Sequence, residues 1–131
     1  MWTSFEVKDT LYELLKSMET TITGSVYLDF RPTDSEAEDI VINALPAPRA
    51  SWQRCTANIN IYVQDVRFRL GGSVQLAPNR VRLEGIAKDV IAAIDGRSGD
   101  DWVCHVVSDH VFANPDGSHM CSIRVTFNKL S

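Results

Sequence analysis

The clearest pattern in the sequence is the alternation of apolar and polar residues near its end. Every second residue there is apolar, at Cys121, Ile123, Val125 and Phe127. A period of two is typical of a β-strand with one buried face. The segment 114–118, Asn-Pro-Asp-Gly-Ser, has the residues of a short hairpin loop. The pattern therefore predicts one long β-hairpin from Asp101 to Lys129.

The loop also predicts which residues of this hairpin lie opposite each other. If Asn114 pairs with Ser118, Asp109 falls opposite Ile123, where a charge does not suit a core face. We therefore expect a β-bulge or a bend near the segment 108–110. The same register predicts three further pairs: Val111 with Cys121, Val107 with Val125, and His105 with Phe127.

Two stretches show the three- and four-residue spacing of amphipathic helices. In the first, Thr3 and Glu6 have the spacing of a capping box, and a stop is expected near Thr20 or at Gly24. In the second, Asn79 is the expected N-cap and Gly96 the stop. The apolar positions are Val7, Leu11, Leu14, Leu15, Met18 and Ile22 in the first helix, and Leu83, Ile86, Ala87, Val90, Ile91 and Ile94 in the second.

The segments between the helices read as strands. Val26–Asp29 is short and β-prone, Asp39–Leu45 ends at Pro46, and Ser51–Gln64 alternates well. The segment Asp65–Pro78, with Gly71-Gly72, is predicted to be a long mobile excursion. The element order is thus α-β-β-β-α-β-β in a single domain of residues 1–131. It predicts an α+β fold with a mostly antiparallel sheet and both helices on one face.

Composition narrows the class of partner. The net charge is −4, so we expect no direct recognition of nucleic acid. No apolar run approaches the roughly 20 residues that span a bilayer, and no signal peptide is visible, so no membrane partner is expected. The three cysteines are an odd number without close spacing, which favours reduced thiols in a cytoplasm.

The hairpin also carries the residues that invite a chemical interpretation. Strand parity puts Cys104 and His110 on one face and Cys121 on the other, without a zinc-site spacing. His105 points away from Cys104, and His119 lies far along the hairpin, so neither activates the thiol. We expect core thiols and surface histidines, with no metal, cofactor or catalytic residue. A small ligand-binding or enzymatic domain using Cys104, His110 or His119 remains the alternative.

Charged and glycine-rich segments offer one further candidate. Glu36, Glu38 and Asp39 are interpreted as solvated charges, and Gly71-Gly72-Ser73 lacks the lysine and helix of a phosphate-binding loop. Four arginines lie in or next to the Asp65–Pro78 segment. Arg67 and Arg69 share a face if the segment is extended, and Arg80 and Arg82 follow it in the sequence. The candidate interface is therefore Arg67, Arg69, Gly71, Gly72, Arg80 and Arg82.

The order of elements resembles a known protein class. The stretches 31–46 and 56–63, the helix 83–95 and the final strand 122–127 are similar to small prophage-encoded proteins, namely tail terminator and tail-completion proteins of long-tailed phages. This resemblance implies a subunit without enzymatic activity that forms a ring, commonly a hexamer. The ring would cap the tail tube and meet the head connector, first in the host cytoplasm and then in the virion tail. Another phage part, such as a head–tail connector, is the related alternative.

Overall fold

Five strands form the central sheet in the computed structural model of the chain, which describes residues 1–130. They are β1 (Val26–Leu28), β2 (Asp39–Ala44), β3 (Trp52–Tyr62), β6 (Trp102–Ala113) and β7 (His119–Leu130). Their order across the sheet is β1-β2-β3-β7-β6. Only β1 and β2 are parallel, and every other neighbouring pair is antiparallel. The α+β fold with a mostly antiparallel sheet and a C-terminal hairpin is confirmed.

The segment predicted to be a long excursion is a second, separate hairpin. It consists of β4 (Val66–Leu70) and β5 (Ser73–Ala77), which pair only with each other. Gly71 and Gly72 form its two-residue turn with φ values of 59° and 83°. Glycine meets the positive φ at both positions without strain, as a tight hairpin turn requires. We call this hairpin the arm.

The first helix begins as the capping box predicts. α1 spans Ser4–Leu15, and the Glu6 amide donates to the Thr3 hydroxyl at 3.2 Å. In return, the Thr3 amide donates to the Glu6 carboxylate at 3.2 Å. A 3₁₀ turn at Lys16–Thr20 follows, so the helical segment ends at the first of the two expected stops.

The second helix, α2, spans Arg80–Ile94. The Asn79 side chain caps it by accepting from the Arg82 amide at 3.3 Å. Gly96 follows the last turn with a φ of 76°, which is the left-handed conformation expected of the predicted stop. Its predicted apolar stripe is buried at Leu83, Ile86, Ala87, Val90 and Ile94.

Both helices cover one face of the sheet, and the core lies between them and the strands. Cross-strand pairing aligns Ile42, Ile59 and Ile123 in one row, and all three are fully buried. The predicted inward positions of α1 and β3 are buried as well, except Leu14, which is partly buried against the core. Residues on the other face of the central strands are mostly polar, at Thr56, Asn58, Asn60, Ser122, Arg124 and Thr126.

An aromatic cluster closes one end of the sheet. Trp2, Trp102 and Phe127 lie with ring centroids 5.3–5.7 Å apart. Beside them, the fully buried Gln53 amide donates to the Trp2 carbonyl at 2.8 Å, and its oxygen accepts from the Trp2 amide at 2.8 Å. These bonds attach the start of the chain to β3, because a buried amide must find partners inside the protein.

The C-terminal hairpin contains the expected bulge, but at a different residue. Val111 pairs with Cys121 and Asp109 with Ile123, as predicted, and the irregularity falls at Val107. Beyond it the predicted pairs are wrong by one residue: Val106, not Val107, faces Val125, and Cys104, not His105, faces Phe127. An extra residue in one strand reverses the face of every residue beyond it. The bulge thereby turns Cys104 into the core.

Candidate functional site

The cysteines are packing residues in this fold. Cys55, Cys104 and Cys121 are unpaired and at most 3% exposed. Burial raises the pKa of the Cys104 thiol to about 12, and it also raises the pKa of Cys55 and of Cys121. A thiol that stays protonated at neutral pH is a poor nucleophile and a poor metal ligand.

The bulge also corrects the predicted distribution of candidate ligands over the hairpin. Cys104 and Cys121 both face the core, whereas His110 pairs with Ser122 on the opposite face. Parity had placed Cys104 with His110 and apart from Cys121, and that was wrong because the bulge intervenes. Within residues 1–130, no three His, Cys, Asp or Glu side chains are arranged to hold a metal ion.

His119 lies in a cleft of about 250 Å³ where β7, the loop after β1 and the base of the arm meet. Its Nδ1 is 2.9 Å from the Asp65 carboxylate, which also accepts from the His119 amide at 3.3 Å. Three hydroxyl side chains line the cleft, those of Ser35, Tyr62 and Ser118. Two of them are bonded to carboxylates: Ser35 donates to Asp39 at 2.6 Å, and Ser118 to Asp116 at 2.7 Å. Among residues 1–130, the His119 ring is paired with Asp65 and with no hydroxyl or thiol, and this bond joins β7 to the segment between β3 and β4.

Two carboxylates of the acidic cluster, Glu38 and Asp39, are structural, which corrects their interpretation as solvated charges, whereas Glu36 is exposed in agreement with that interpretation. Asp39 is 1% exposed and accepts from Arg31 at 3.2 Å and from Ser35. Glu38 receives two bonds from the Arg82 guanidinium, at 2.5 and 2.8 Å. This bidentate pair holds the pKa of Glu38 below its usual range. Glu36 lies at the edge of the His119 cleft.

Arg82, one of the six candidate interface residues, is bonded within its own chain. Its guanidinium also donates to the Thr21 carbonyl at 2.6 Å. Arg82 therefore ties the start of α2 to the segments before β1 and β2, within one chain. The other five candidate interface residues, Arg67, Arg69, Gly71, Gly72 and Arg80, are all exposed.

The arm exposes apolar side chains on both of its faces. Val66, Phe68 and Leu70 share one face, while Arg67 and Arg69 share the other with Val74 and Leu76, as the pairing of β4 with β5 dictates. The five apolar residues are 43–66% exposed. Arg67 and Leu76, at the base of the arm, line the His119 cleft. Neither Arg67 nor Arg69 has an ion-pair partner among residues 1–130.

A groove of about 490 Å³ runs between α2 and the outer half of the C-terminal hairpin. Its floor is apolar, formed by Leu83, Ala87, Ile91, Val111 and Cys121. Four charged residues border it: Arg80, Glu84, Lys88 and Asp109. Glu84 and Lys88 pair with each other at 3.3 Å, whereas Asp109 has no ion pair in the described part of the chain.

The outer edge of β6 is covered along only half of its length. The segment after α2 protects the first half: the Cys104 amide donates to Arg97 at 2.8 Å, and the Val106 amide donates to the Asp95 carboxylate at 2.9 Å. The remaining residues, 107–113, are all exposed. Among the described residues, no neighbouring strand or backbone bond covers their outer side.

Comparison with known proteins adds no relative. No protein-family model matches this chain, and a search of curated proteins finds no match. Within residues 1–130, neither helix combines the length and apolarity needed to cross a bilayer.

Proposed function

We propose that the protein is a structural subunit of a phage tail, a tail terminator or tail-completion protein. It assembles with copies of itself in a ring at the end of the tail tube and joins the tail to the head through protein contacts. Its place is the host cytoplasm during assembly and the tail of the finished virion. The resemblance in element order supports this proposal, and the structure has that order with the arm added between the third strand and the second helix.

The observation that carries the proposal is the exposed arm. A hairpin that is apolar on both faces is poorly suited to standing in water, because unpaired strand edges and clustered apolar side chains promote association. Two-stranded hairpins are also only marginally stable by themselves. The arm therefore fits a subunit whose neighbours cover it after assembly.

Electron microscopy of tail tubes tests this function directly. Purified tail tubes are mixed with the protein, and the tube ends are examined for ring-shaped density. We expect capped ends and tubes of uniform length. The matched control is a variant in which Gly-Ser residues replace 66–77, which should keep the fold and leave the tubes uncapped. A full-length protein that stays monomeric beside bare tube ends would refute the proposal.

The same experiment separates the related phage role. A head–tail connector would use similar exposed surfaces but would bind the portal end of filled heads. Heads and tubes are therefore offered in parallel. Density on the heads alone would move the assignment to the connector.

One observation supports a ligand-binding role, namely that the paired His119 and Asp65 side chains line a cleft. Of the three residues named for this alternative, His119 lines the 250 Å³ cleft, whereas Cys104 is buried in the core and His110 lies outside that cleft. Thermal shift against a panel of small anions and metabolites tests this role. It requires stabilisation by one compound that His119→Ala abolishes without loss of folding.

A further inference from the structure

We propose that the arm of one copy docks along the open outer edge of β6, residues 107–113, in a second copy. There it would cover the groove beside α2. This inference rests on the proposed function, because a ring requires that neighbouring copies contact each other. It specifies which surfaces those copies use.

The first argument is that each surface lacks what the other offers. Within the described residues, 1–130, no strand pairs with the outer edge of β6 at 107–113, and none pairs with either outer edge of the arm. Adding a strand to such an edge satisfies both rows of donors and acceptors. The dimensions agree: five-residue strands span about 17 Å, and the seven residues 107–113 span about 24 Å, at roughly 3.4 Å per residue.

The second argument is the chemistry of the groove. Docking at the β6 edge brings the apolar side chains of the arm over the apolar floor at Leu83, Ala87 and Val111. Asp109 stands in the same cross-strand row as the buried Ile59 and Ile123, beyond the cover of α2. It is thus a lone carboxylate beside an apolar surface.

Charge complementarity selects the arm as the occupant. Among residues 1–130, Arg67 and Arg69 of the arm have no ion-pair partner, and Asp109 is the groove carboxylate that also lacks one. Arg69 lies nearer than Arg67 to the turn of the arm, and therefore farther from the base of the arm. Arg80, the first residue of α2, lies at the end of the groove next to its own arm. We therefore assign Arg69 to Asp109 across the interface.

The contact is head-to-tail. Arm and groove are different surfaces of one chain, so each copy can give its arm to one neighbour and receive an arm from another. Such heterologous contacts close into a ring when the rotation between neighbours divides the circle. A ring is the assembly that the proposed function requires.

Charge reversal tests the contact. Sedimentation velocity is measured up to millimolar concentration for the full chain, Arg69→Glu, Asp109→Arg and the double variant. Each single reversal should weaken self-association at least about tenfold, because it places like charges together. The double variant should recover most of the affinity, since every head-to-tail contact then regains an opposite pair. Arg49→Glu, in the loop at the other end of the sheet, is the control and should change nothing.

Cross-linking locates the contact. A photoreactive benzoylphenylalanine replaces Val74, and equal amounts of ¹⁴N- and ¹⁵N-labelled protein are mixed and irradiated. Mixed-isotope cross-links from residue 74 to 80–91 or 107–121 are expected. Cross-links between copies at other segments overturn the proposal, as does the absence of self-association at millimolar concentration or a double variant as weak as the single ones.

These outcomes are independent of the tail experiment. If rings cap tail tubes but the cross-links fall elsewhere, the proposed function stands and the arm contact is wrong. If the arm contact is found but neither tubes nor heads are bound, the self-assembly stands and the phage role is wrong.

Discussion

The two halves of the C-terminal hairpin consist of the same two strands, but β6 packs against the core in one half and is exposed to solvent in the other. In the half near the aromatic cluster, Cys104 and Phe127 are fully buried, and Trp102 packs on the core. In the half near the turn, every β6 residue from 107 to 113 is exposed, including Val107, Val111 and Phe112. The bulge at Val107 marks the boundary.

The length of the covering elements explains the difference. A fifteen-residue helix such as α2 is about 22 Å long, at 1.5 Å per residue. The twelve residues of β6 extend over about 41 Å. One helix cannot cover such a strand, and α1 packs on the same face of the sheet but over different strands, mainly β1 and β2. Among residues 1–130, no element covers the apolar side chains of Val107, Val111 and Phe112 in the outer half of the hairpin.

The largest expected effect contrasts a phenylalanine from each half. Phe127→Ala should lower the free energy of unfolding by about 3–5 kcal/mol, because it opens a cavity between Trp2 and Trp102. Phe112→Ala should cost less than about 1 kcal/mol, because the ring is already 37% exposed. Urea denaturation of dilute protein measures both. Similar losses would mean that the two halves are equally part of the core.

A glycine pair gives the next largest contrast. At Gly24, a Cβ would lie 1.9 Å from the Asp39 carboxylate and 2.5 Å from the Glu38 carbonyl. Gly24→Ala should therefore cost about 1–3 kcal/mol through overpacking. Gly85, inside α2, has nothing within 4 Å of that position. Gly85→Ala should stabilise the protein by about 0.5–1 kcal/mol, because alanine is the better helix former. Thermal unfolding of both variants checks the opposite signs.

The ion pair that fixes α2 should give a smaller and pH-dependent effect. At pH 7, Arg82→Ala should cost about 1–2 kcal/mol through the lost bonds to Glu38 and Thr21. The pKa of Glu38 is lowered in the folded protein, so the stability from the pair is present above the ordinary glutamate pKa. It is lost as the pH falls through the folded value.

Denaturation at neutral and acidic pH measures that loss. The cost of Arg82→Ala should shrink toward the contribution of the Thr21 bond, whereas the exposed Arg80→Ala should have little effect at either pH. A cost that is the same at both pH values would show that the pair with Glu38 contributes nothing.

The sequence predicted those parts of the fold that follow from local pattern. The capping box at Thr3, the apolar stripe of α2 and the alternation of β7 each depend on residues a few positions apart, and all are confirmed. A bulge was expected because Asp109 fell opposite Ile123, but the observed bulge at Val107 leaves that pairing unchanged. Asp109 is tolerated there because β6 is exposed in the outer half of the hairpin, which the alternation of residues did not reveal.

What the sequence did not reveal depends on distant contacts. Glu38 and Asp39 looked solvated because their partners, Arg82 and Arg31, reach them only in the folded chain. The arm was missed for another reason. Val66, Phe68 and Leu70 alternate with Arg67 and Arg69, and Gly71-Gly72 is a two-residue hairpin turn, so the signal was present. Its glycines were interpreted as flexibility instead of as a turn.

The smallest expected effect on stability comes from a substitution in the arm, which we compare with one in the buried core. In dilute, monomeric protein, Phe68→Ser should change the free energy of unfolding by less than about 0.5 kcal/mol, because the ring is 43% exposed and belongs to neither the core nor the central sheet. Equilibrium urea denaturation measures it, and Ile123→Ser, in the fully buried row, is the destabilising control. A loss above about 1 kcal/mol for Phe68→Ser would place the arm in the folding unit of its own domain. That result would count against the proposal that the arm docks on a second copy.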